Sequence, residues 1–129
     1  MSKRIISPKK VWDSKPYAFS QGVSCGGKRI IFIAGQVGID PTGKIVSESI
    51  EKQTEQAFEN MQQILRSAKA SMENIAKLTV YLTDIKDLQR YSAVMKRYFK
   101  KGLPAQTAVE VSRLALPELK IEVEAIAVV

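Results

Sequence analysis

The residues best placed to do chemistry are carboxylates on apolar segments near the C-terminus. If residues 120–129 form a strand, Ile121, Val123, Ala125, Ala127 and Val129 share one face. Glu122 and Glu124 then share the other face with Ile126 and Val128. In the segment read as its neighbour, residues 106–112, Gln106, Ala108 and Glu110 alternate with Thr107, Val109 and Val111. Three carboxylates on two otherwise apolar strands have two readings. One is an edge strand that carries charge to prevent aggregation. The other is a polar pocket at the sheet rim or at a subunit interface. The chain has no histidine. That removes imidazole acid–base chemistry, Ser-His and Cys-His nucleophilic pairs and histidine-ligated metal sites. Any reaction must rest on carboxylates, hydroxyls, amides, backbone groups or bound water. The single cysteine, Cys25, cannot close an internal disulfide, suits a reducing compartment and reads as a small packed residue.

Several elements must hold these groups. Residues 18–25 and 28–35 read as two short strands joined at Gly26-Gly27, where glycine supplies the positive φ of a tight turn. The stretch Ile30-Ile31-Phe32-Ile33-Ala34 is apolar on both sides, so both faces are expected to be covered. Asp40-Pro41-Thr42-Gly43 is a turn. From about Ser47 the period becomes helical, with Ile50, Thr54, Ala57, Phe58, Met61, Ile64, Leu65 and Ala68 on one face and Ser47 as the expected cap. A strand over Ile75–Leu82 follows. Asp84 or Asp87 can cap a second helix with the apolar stripe Leu88, Tyr91, Val94, Met95, Tyr98 and Phe99, ended by Gly102 and Pro104. The last two strands flank a turn at Pro117, and a further strand is read at residues 4–6. Together these give an α+β fold, a mixed sheet of about six strands covered by two helices, in one domain over residues 1–129.

Composition fits that scale. Of 129 residues, 45% are hydrophobic and 26% charged, close to ordinary globular proportions. No apolar run approaches the roughly 18 residues of a membrane span, and no apolar core follows the basic N-terminus, so an intracellular, cytoplasmic address is expected. The formal charge of +7 raises nucleic acid as a partner. Its densest cluster, Lys96, Arg97, Lys100 and Lys101, sits late in a helix, where cations favour the negative end of the dipole, and reads as a solvated face.

Phe19-Ser20-Gln21-Gly22-Val23, Ile33-Ala34-Gly35-Gln36, Asp40-Pro41-Thr42-Gly43-Lys44, Val80-Tyr81-Leu82-Thr83-Asp84, Val109-Glu110-Val111-Ser112-Arg113-Leu114 and the terminal Lys120-Ile121-Glu122-Val123-Glu124-Ala125-Ile126-Ala127-Val128 occur in this order. In sequence and spacing they resemble the motifs of the RidA family, also called YjgF or L-PSP. The resemblance implies a chorismate-mutase-like fold assembled as a homotrimer, with small-molecule clefts between subunits. It further implies hydrolysis of short 2-imino or 2-enamino acids to 2-keto acids and ammonia, without cofactor or metal.

Carried over residue by residue, the likeness assigns the water-orienting glutamate to Glu122. The carboxylate-binding arginine, third in the family's Pro-Ala-Arg-Ser, falls on Gln106 in Pro104-Ala105-Gln106-Thr107. A cysteine whose backbone faces the substrate matches Ala108, the serine before Gly35-Gln36 matches Ala34, and a cleft-lining asparagine matches Ser92. The cleft aromatic is Phe19 without a gap, or Tyr17 with one. Gln106 is the consequential change. A guanidinium grips a carboxylate with two charged hydrogen bonds, and a neutral amide forfeits on the order of 2–4 kcal/mol of that hold. Three readings follow: an imine or enamine hydrolase of altered specificity, a non-catalytic binder of a small neutral metabolite, and an RNA-binding or ribonuclease-like protein.

Overall fold

The computed structural model describes residues 3–14, 16, 21–25 and 28–129. Its strands are β1 (Lys3–Ile6), β2 (Gly22–Cys25), β3 (Ile30–Gln36), β4 (Ile75–Leu82), β5 (Ala105–Glu110) and β6 (Ile121–Val128), and its helices are α1 (Ile50–Ser67) and α2 (Leu88–Tyr98). Helix α1 joins β3 to β4, and α2 is the crossover between β4 and β5. The turn expected at Gly26-Gly27 lies outside the described residues.

One sheet runs in the order β1-β2-β3-β6-β4-β5. Neighbouring strands are antiparallel throughout except β4 and β5, which are parallel. This corrects the reading of the last two strands as neighbours. Strand β6 lies inside the sheet between β3 and β4, and β5 takes the edge. Glu122 and Glu124 therefore do not guard an edge. They project from the middle of a sheet whose backbone groups are already paired.

One face of the sheet packs under the helices. Ile31, Ile33, Leu78, Val80, Leu82, Ile121, Val123 and Ala127 meet Phe58, Met61, Ile64 and Leu65 of α1 and Tyr91, Val94 and Met95 of α2 in a single core. The 3.6-residue period of α1 produces this contact, as the sequence leads one to expect. Its cap differs by two residues. Ser49, not Ser47, stands at the N-cap and accepts from the Lys52 N–H, while the Ser47 hydroxyl accepts from the Ser49 N–H at 2.9 Å. Asp84 caps a short 3-10 turn ahead of α2 rather than α2 itself. At Asp40-Pro41-Thr42-Gly43, Asp40 Oδ1 accepts from the Thr42 N–H at 2.9 Å and the Lys44 N–H at 3.1 Å, and Gly43 adopts φ +88°. These donors hold the Asp40 carboxyl below its usual pKa, led by the Thr42 hydroxyl.

Of the three fully buried polar residues of α1, Gln53, Thr54 and Asn60, the first and last bond outside the helix. Asn60 Nδ2 donates to the carbonyls of Val37 and Ile39. Gln53 Nε2 donates to those of Ser47 and Glu118, and its oxygen accepts from the Lys120 N–H at 2.8 Å. Both staple non-strand backbone to the helix, satisfying groups that the sheet ladder cannot reach.

The other face of the sheet is open. Strand β3 was expected to be covered on both sides, but Ile30 and Phe32 are 38% and 46% exposed. The register aligns Ile30 with Val128 and Phe32 with Ile126, so these side chains form one apolar band.

Candidate functional site

Glu122 and Glu124 stand on the open face, opposite Tyr81 and Thr79 of β4. On their other flank β3 breaks register between Ile33 and Gln36, the irregularity that holds Ala34 and Gly35. Such breaks re-aim a strand beside a site. Buried glutamines fix this one. Gln36 Nε2 donates to Gln21 Oε1 and to the Ala34 carbonyl, and Gln21 Nε2 donates to the Trp12 carbonyl at 2.8 Å.

Gly35 leaves room for the glutamate. A β-carbon there would come within 2.1 Å of Glu122 Oε2 and 2.6 Å of its Cδ, so the carboxylate lies directly across the glycine. Ala34, Gly35, Glu122 and Glu124 line an open depression of about 660 Å³ whose walls include Trp12, Val37, Ile39 and Leu119.

The two carboxylates differ. Glu124 accepts from the Tyr81 hydroxyl at 2.6 Å, a bond that raises the phenol's pKa. Among the described residues no donor reaches Glu122. Burial, followed by the charge of Glu124, pushes its carboxyl above the ordinary glutamate range. A half-buried carboxylate without a competing donor, its pKa raised above the ordinary glutamate range, is suited to taking a proton from water.

The remaining candidates lie elsewhere on the chain. Gln106 registers with Leu78, Ala108 with Val80 and Glu110 with Leu82, all on the helix-covered side. Gln106 accepts from the Tyr91 hydroxyl at 2.7 Å, Ala108 packs against the core and Glu110 accepts from the Ile85 N–H at 3.0 Å. Gln106 and Glu122 thus face opposite sides of one sheet, and the three carboxylates do not converge. Ser92 is half-buried on α2, next in sequence to Tyr91. Tyr17 and Phe19 lie outside the described residues.

Tyr81, Trp12 and Tyr91 escaped the reading of the sequence as site residues. Tyr81 was signalled by alternation in β4, where Lys77, Thr79 and Tyr81 oppose the buried Leu78, Val80 and Leu82. Nothing local marks Trp12 or the hydroxyl of Tyr91, which reads only as part of an apolar stripe. Lys96, Arg97, Lys100 and Lys101 are exposed, with Arg97 bonded to Glu55 at 2.7 Å and Lys101 near Glu73 at 3.4 Å.

The model of the family described as Endoribonuclease L-PSP matches residues 14–129. The chain belongs to the RidA/YjgF/L-PSP family. Within it, the chain is 43% identical over 129 residues to a RutC family protein of Pyrococcus abyssi, covering 98% of each. It is 41% identical over 102 residues to the human 2-iminobutanoate/2-iminopropanoate deaminase, covering 78% of this chain and 73% of that one. Among solved structures, Escherichia coli TdcF with bound serine superposes with a TM-score of 0.89 at 32% identity, covering 98% of each chain. RidA from Psychrobacter gives a TM-score of 0.89 at 31% identity, over 98% of this chain and 99% of that one.

Proposed function

We propose that the chain assembles as a homotrimer through its open sheet face and hydrolyses the C=N bond of small imines or enamines in clefts between subunits. The observation that carries this reading is Glu122, half-buried, undonated and seated on Gly35. Kinship with a protein named as an imine deaminase supports the reaction class. In this scheme Glu122 takes a proton as a water oxygen attacks the imine carbon. Glu122 returns that proton to the nitrogen, the tetrahedral adduct's hydroxyl proton follows it as the carbonyl forms, the C–N bond breaks and ammonia leaves. No step calls for an imidazole, metal or cofactor.

Because Gln106 faces away from Glu122, a cleft containing both draws the carboxylate from one subunit and the β5 rim from another. Ala34 and Gly35 line the carboxylate side, Ala108 and Ser92 the rim, and Tyr17 or Phe19 supplies an aromatic wall. With Gln106 in the arginine position, the grip on a free carboxylate is weak, and specificity shifts accordingly.

The test is ammonia release from freshly generated 2-aminoacrylate and from its carboxamide. Wild-type protein is expected to exceed buffer, and Glu122→Gln to lose about 10²–10⁴ of that rate. A wild-type rate equal to buffer with both compounds would overturn the proposal.

A further inference from the structure

Gln106 is not a free amide at the sheet edge. The Tyr91 ring is fully buried, and its hydroxyl donates to Gln106 Oε1 at 2.7 Å. Burial raises the pKa of this phenol, so the oxygen keeps a hydrogen that needs an acceptor. Among the described residues Gln106 Oε1 is that acceptor. Turning the amide over would set its NH₂ against the hydroxyl hydrogen and leave a buried donor unsatisfied. The amide is therefore polarised, with its oxygen committed inward and both Nε2 hydrogens presented outward.

The carboxylate side of the site has its own charge. Glu122 and Glu124 line the depression together, and no lysine or arginine joins them among its described lining residues. A ligand carboxylate brought here meets two like charges and, at Gln106, a neutral donor in place of a cation. A neutral carbonyl oxygen meets the donor without the repulsion.

We propose that Tyr91 is a positioning residue that locks Gln106 as a hydrogen-bond donor, so that the site selects imines bearing a neutral carbonyl, such as a carboxamide, over the corresponding free acids. This rests on the reading above that places Gln106 and Glu122 in one cleft. The carboxamide of 2-aminoacrylate first moves a proton from its amino nitrogen to its terminal carbon to become the imine; one water is then consumed, C=N becomes C=O, and pyruvamide and ammonia result.

The experiment compares binding of pyruvamide and pyruvate to the full-length protein by calorimetry, alongside turnover of the two parent enamines. Wild-type protein is expected to bind pyruvamide at least about fivefold more tightly, the worth of one neutral hydrogen bond. Tyr91→Phe, which keeps the ring, should lower that ratio severalfold, leaving the part set by repulsion from Glu122 and Glu124. Combining it with Gln106→Arg should reverse the preference toward pyruvate. Each ratio is internal to one protein, so altered stability cancels. Equal or reversed affinities in the wild type, or a ratio unmoved by Tyr91→Phe, would overturn the proposal. Selective binding of pyruvamide without turnover of either enamine would uphold the anchor and remove the hydrolase reading alone.

Discussion

Under the proposed reaction, Glu122 would trade stability for reactivity. Burial and Glu124 both raise its pKa, so the folded chain holds a proton there more tightly than the unfolded chain does. Such a group contributes stability that is fully present below the ordinary glutamate range and lost as pH rises through its raised folded value. Urea unfolding of Glu122→Gln and wild type should therefore show the variant gaining relative stability as pH rises from the ordinary glutamate range through the raised folded value. With the carboxyl only half-buried, solvent screening keeps the gain below about 1 kcal/mol. Catalysis should run the opposite way, rising with pH to a half-point above that of ordinary glutamates. Glu122 was legible in the sequence because parity places it among apolar neighbours. Gly35's service to it was not, since a glycine's missing β-carbon matters only once a strand 87 positions later lies alongside.

At the scale of elements, periodicity was legible and pairing was not. The stripe on α1 and the alternation of β4 and β6 follow from residue type and local geometry. Which strand lies beside which depends on contacts distant in sequence, and the reading of β5 and β6 as neighbours failed for that reason. Alternation describes an edge strand and a central strand with one open face equally well. Asn60 was likewise hidden, as one polar letter in a helix that tolerates many. Its two donations to Val37 and Ile39 hold backbone that lines the site. Asn60→Ala strips the Ile39 carbonyl of its donor and leaves the Val37 carbonyl only the Ile39 N–H, so it should lower unfolding free energy by about 1–3 kcal/mol, measured by urea denaturation.

For the molecule as a whole, the open face decides behaviour. Ile5, Phe32 and Ile126 lie in one register across β1, β3 and β6, and all three are exposed. Exposed apolar side chains on one sheet face mark a contact surface. Sedimentation should place the wild type above the mass of one chain and Phe32→Glu at that mass, with loss of imine hydrolysis. A wild type sedimenting as a single chain would remove the shared-cleft arrangement altogether.

The position of Gln106 and Glu122 on opposite sides of one sheet has a consequence for how such a fold changes over generations. A wall of paired backbone insulates each from the other within a chain. An alteration that retunes what is gripped, together with its own buttress on α2, leaves the proton-accepting side undisturbed. Recognition and reactivity become separately adjustable, and one scaffold can exchange its ligand while keeping its chemistry.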